Sequence, residues 1–67
     1  MHREMEEIFR LREEYDLEID LEVKAELNRR FHEMLDEFLR RHRLNMTHGT
    51  FLAATRSDYK NWRRNPH

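Results

Sequence analysis

The chain has no cysteine among its 67 residues. Disulfides, thiolate nucleophiles and thiolate metal sites are therefore excluded. Glycine and proline occur once each, as Gly49 and Pro66. A chain so poor in breakers and so rich in Glu, Arg and Leu favours helix, and an all-α fold is expected. Long apolar runs are missing as well. The longest, Phe51-Leu52-Ala53-Ala54, is far too short for a transmembrane segment or the apolar region of a signal peptide. No membrane contact is expected, and a cytoplasmic location is the default expectation.

Hydrophobic residues make up 37% of the chain and charged residues 40%. The charged share is well above the roughly 25% usual in globular domains. A chain of this size can bury one thin core between helices and little more. Without disulfides, its extra stability is expected from self-association or from docking on another protein.

The apolar residues are organised around 21–43. There Leu27, Phe31, Met34, Leu35, Phe38 and Leu39 recur at helical spacing, which makes one stripe on a long amphipathic helix. Residues 2–15 read as a first helix, with Met1, Met5, Ile8, Phe9 and Tyr15 near one face and Leu11 at its edge. Between the two, Tyr15, Leu17, Ile19, Leu21 and Val23 alternate with polar residues. Alternation is a strand signal, but no other segment offers such a strand a partner. Two helical readings remain. In one, 16–20 is an extended loop that inserts Leu17 and Ile19 into the core, and Asp20 N-caps the second helix. In the other, a single helix runs from about 2 to 43. The hairpin is the expectation, because helices of about 40 residues are rare in globular domains.

Thr47 is a good N-cap for a third helix over about 48–64, with Met46 and Phe51 at the spacing of a hydrophobic staple. Phe51, Leu52, Thr55, Tyr59 and Trp62 fall on one side of it, and Pro66 ends it. The expected architecture is thus one helical domain over 1–67. It is a small three-helix arrangement: a helical hairpin with a long central helix, plus a C-terminal helix. Its core is built on Ile8, Leu27, Phe31, Leu35, Phe38 and Phe51. On the outer face of the central helix, Glu26 with Arg30, Asp36 with Arg40, and Glu37 with Arg41 stand at the spacing of ion pairs.

Charge is distributed very unevenly. Residues 1–37 carry thirteen acids and six bases, a formal charge of −7; residues 38–67 carry seven bases and one acid, a charge of +6. The basic part holds Arg40, Arg41, Arg43, Arg56, Lys60, Arg63 and Arg64, with Tyr59 and Trp62 interleaved. Guanidinium groups fork onto phosphate, and aromatics among cations stack on unpaired bases. These nine residues are the candidate binding surface, and two readings fit them. In the first, the acidic helices serve assembly and the basic third contacts a nucleic-acid backbone. In the second, the protein is an interaction module (an adaptor, inhibitor or accessory subunit) that docks through Tyr59, Trp62 and Arg63 as anchors. The bland alternative is that Tyr59 and Trp62 only close the core, that arginines at the end of the central helix satisfy its dipole, and that basic residues of the third helix pair with the acidic face of the first. Leu52-Ala53-Ala54 followed by Trp62-Arg63-Arg64 superficially resembles the end of a helix-turn-helix. The stretch between them is too short for a turn plus a recognition helix.

Five histidines and fourteen acids invite a metal reading. His32 and Asp36 share a helix face, and His42 and His48 flank the second connection, but two ligands do not make a site. His2 and His67 sit at the chain ends. Ser57 has Asp58 beside it, yet adjacent helical residues point apart. No metal, cofactor, small-molecule substrate or catalysis is expected; the expected function is binding.

Overall fold

The computed structural model describes residues 3–65, so Met1, His2, Pro66 and His67, with the roles suggested for them above, lie outside the described residues. Four helices follow one another: α1 (Arg3–Leu17), α2 (Leu21–Arg41), α3 (His48–Ala54) and α4 (Arg56–Arg64). The fold is all-α, with no strand among the described residues. α1 and α2 form the hairpin and pack antiparallel: near the free end of α1, Glu4 Oε2 accepts from Arg41 Nη1 in the last turn of α2 at 2.9 Å.

The joint between them differs from the expected inserting loop. α1 runs on through Leu17, and the Glu18 N–H still bonds Glu14 at 3.1 Å. Only residues 18–20 remain to turn the chain. Glu18 Oε1 accepts the N–H groups of Ile19 (3.1 Å) and Asp20 (3.0 Å). Asp20 Oδ1 then caps α2 by accepting from Glu22 (2.9 Å) and Val23 (3.2 Å). So tight a turn has no slack to fold inward. Leu17 is 65% and Ile19 92% exposed, so neither enters the core.

α2 ends two residues earlier than its pattern implied. Arg43 takes a left-handed φ of 54°. The Arg43 N–H bonds Arg40 at 3.1 Å and the Leu44 N–H bonds Leu39 at 2.8 Å, the paired bonds of a Schellman stop. Glycine is the usual occupant of this position, because a Cβ there is crowded. Arg43→Gly is therefore expected to raise stability by about 1 kcal/mol. In urea the midpoint should move up with the slope unchanged.

The expected third helix is two helices. Thr47 caps α3 as anticipated, its Oγ1 accepting from the Thr50 N–H at 3.1 Å. The helix then breaks at Thr55, with φ −102° and ψ 9°. The Thr55 hydroxyl donates back to the Phe51 carbonyl at 2.8 Å, alongside its own N–H at 3.0 Å. Such back-bonding bends helices. One residue joins α3 to α4, so no helix-turn-helix turn is present.

Two buried clusters hold the helices. The larger contains Ile8, Phe31, Leu35, Phe38, Leu39 and Phe51 and joins α1, α2 and α3. Leu27 is also buried on α2, so all six expected core residues are inside. The smaller contains Phe9, Tyr59 and Trp62 and fastens α4 to α1.

Candidate binding surface

α4 is amphipathic over about two and a half turns. Tyr59 and Trp62, with Thr55 just before them, face α1 and are buried. Phe9 packs against both rings, its centroid 5.5 Å from that of Tyr59 and 5.9 Å from that of Trp62. The Tyr59 hydroxyl donates to Asp16 Oδ2 at 2.8 Å. The Arg12 guanidinium lies 4.2 Å from the Tyr59 ring centroid, within cation–π range. These two aromatics, expected as stacking or docking anchors, are 5% and 6% exposed. Neither presents a face to a partner.

The environment of Tyr59 has a measurable consequence. Burial first, then the hydrogen bond to Asp16 and its negative charge, push the phenol up from 10.0 to about 12. The folded protein thus holds this proton more tightly than the unfolded chain does. The associated stability is complete below about pH 10, where an unfolded tyrosine keeps its proton, and is lost as pH rises through about 12. Urea unfolding across this range is expected to show a falling limb that Tyr59→Phe removes.

With the aromatics turned inward, the outer face of α4 carries Arg56, Lys60 and Arg64. They stand at i, i+4 and i+8, one above another along roughly 12 Å of helix. All three are exposed, and none makes an ion pair among the described residues. Arg63 is different. Its Nε is 3.5 Å from Glu13 Oε2 and its Nη1 is 3.9 Å from Asp16 Oδ2. It belongs to the α1–α4 joint.

The remaining candidates lie on another element. Arg40, Arg41 and Arg43 crowd the end of α2, where cations suit the helix dipole. Arg41 is engaged by Glu4. Arg40 and Arg43 are exposed and make no ion pair among the described residues. The nine candidates thus divide into a cationic stripe on α4, a cluster at the end of α2, and three residues (Tyr59, Trp62 and Arg63) held against α1.

The ion pairs on α2 also fall differently from the expected set. Arg29 takes both Glu26 and Glu33. That contact holds the Glu26 carboxyl below its ordinary range, mainly through the hydrogen bond from Arg29. Asp36 bonds a histidine instead of Arg40, and Arg41 reaches across to α1 instead of Glu37.

That histidine is His48, and this contact left no signal in the sequence. His48 Nε2 is 2.5 Å from Asp36 Oδ1, and His48 Nδ1 is 2.6 Å from His32 Nδ1. The ring centroids are 4.8 Å apart with planes within 17°, so the rings meet edge to edge, not face to face. Only one of the two Nδ1 atoms can carry a hydrogen in such a contact. His42, which flanks the same connection, instead packs on Phe38 and lies 3.5 Å from Glu4. His32, His48 and Asp36 form a chain, not a ring of donors around one point. Among the described residues no three such side chains are placed to hold a metal. No helix among them is long and apolar enough to cross a membrane.

Compared with protein-family models, with curated proteins and with solved structures, the chain matches none.

Proposed function

We propose that this chain is a non-enzymatic helical binding protein whose α4 contacts a polyanionic backbone, nucleic acid being the ligand class. The observation that supports this reading most is the exposed stripe of Arg56, Lys60 and Arg64. Three cations on one face, unpaired among the described residues, suit a row of phosphates and do not suit an apolar partner surface. The split between an acidic and a basic part of the chain supports it too, since α4 carries one acid, Asp58, among four cations. Docking of another protein through the same helix is the second reading. The burial of Tyr59 and Trp62 weighs against it, because it removes the aromatic anchors from that face.

The test is fluorescence anisotropy with labelled single- and double-stranded oligonucleotides across a salt series. Three backbone contacts on duplex DNA predict a slope of roughly −2.7 in log K against log salt. Arg56→Glu with Lys60→Glu and Arg64→Glu is expected to abolish binding while leaving the helical circular dichroism intact. Absence of binding at low salt would sink the proposal.

A further inference from the structure

We propose that copies of this chain associate head to tail, the α1–α2 turn of one docking on the α2–α3 connection of the next. This contact does not involve the cationic stripe of α4. Among the described residues the large exposed hydrophobics are Leu17, Ile19, Leu21, Val23, Leu44 and Met46. The first four surround the start of α2, with Ile19 92% and Leu21 81% exposed. The other two follow its end. None is scattered along the helix faces. Two clusters of apolar surface on a small, highly charged protein signal contact sites.

The charges around the two clusters are opposite. Between Arg12 and Lys24 there are six acids and no base. Glu13 and Asp16 turn toward α4, which leaves exposed Glu14 and Glu22 beside the first cluster. Between Arg40 and Arg56 there is no acid at all; Glu4 of α1 reaches this end but is engaged by Arg41, and Arg40 and Arg43 flank the second cluster without an ion pair among the described residues. Two heads face to face would bring acids together, and two tails would bring arginines together. Head against tail covers apolar surface on both sides and pairs opposite charges.

The two ends cannot meet within one chain. α2 has 21 residues and so holds them roughly 30 Å apart, most of the molecule's 34 Å length. The contact is therefore made between copies. It is heterologous, and repeats until a ring closes or a filament grows.

The test is complementation, read by light scattering after size exclusion. The head variant is Ile19→Asp with Leu21→Asp, two sites exposed enough to accept the change. The tail variant is Met46→Asp with Arg43→Glu; Arg40→Glu alone serves as a second tail variant if circular dichroism shows loss of helix in the first. The unaltered chain is expected to exceed its monomer mass of 8.5 kDa with rising concentration, and to do so less at high salt. Each variant alone is expected to remain monomeric. An equimolar mixture of head and tail variants retains one intact head and one intact tail, and is expected to give twice the monomer mass. An unaltered chain that stays monomeric at millimolar concentration overturns the proposal. So does a tail variant that still associates by itself, and so does a mixture that remains monomeric.

Discussion

Phe9→Ala is expected to release α4 from the rest of the protein before anything else unfolds. The smaller cluster consists of Phe9, Tyr59 and Trp62 with Met5 packed against it, and Phe9 is the one fully buried ring that α1 contributes. Truncating a buried phenylalanine costs about 3–5 kcal/mol. A domain of this length has in total roughly 3–10 kcal/mol of stability. The loss falls almost wholly on the α1–α4 joint. What remains there includes the Tyr59–Asp16 hydrogen bond, the Arg12 guanidinium over the Tyr59 ring and the partly exposed contacts of Arg63, the last worth little in water. Trp62 is the only tryptophan, so its emission reports this joint alone. In denaturant the red shift of Trp62 is expected at a lower midpoint than the loss of helical circular dichroism. Coincident transitions at the unaltered midpoint would show that α4 is held by something other than Phe9.

Leu35→Ala is expected to act on the whole molecule. Leu35 is 0% exposed and sits in the larger cluster between α1, α2 and α3. Leucine-to-alanine changes at such sites cost about 2–5 kcal/mol, toward the upper end where the surroundings cannot collapse into the space. Phe31, Phe38 and Phe51 are all part of that cluster, and rings move less readily than aliphatic chains to fill a void. At about 4–8 °C per kcal/mol for a domain of this size, the melting temperature should fall by roughly 15–30 °C. Fluorescence and circular dichroism should fall together, because every helix loses its support at once. A shift of only a few degrees would mean that the core repacks around the deletion. The two variants together separate the two clusters: one loses a helix, the other the fold.

The helical period made the core legible. Leu27, Phe31, Leu35 and Phe38 fall on one stripe whatever the neighbours do, and Asp20 and Thr47 carry the side-chain chemistry that caps helices. The features that escaped depend on contacts between distant segments or on rare backbone choices. The stop at Arg43 uses a left-handed residue that is not glycine, so no glycine marked it. The break at Thr55 comes from a hydroxyl that bonds its own helix, and nothing in the pattern of apolar residues changes there. His48 meets His32 across sixteen residues, which no spacing rule anticipates. Leu17 and Ile19 misled because alternation implies a buried side, whereas the turn leaves both in solvent. At the candidate surface the basic residues were legible as composition. Their division into an outward stripe on α4, a cluster at the end of α2 and a joint with α1 emerged only once α4 was seen to pack on Phe9.

Position 43 sets two demands on one residue. The backbone asks for glycine, while the surface at the end of α2 gains from a cation. The chain keeps arginine. In a library screened for thermal resistance, glycine and asparagine should be enriched at this position. In a library screened for retention on an acidic surface, arginine and lysine should persist there despite the backbone. Divergence of the two pools at this codon, with agreement at Leu35 and Phe9, would show that the arginine is retained for contact and not for folding.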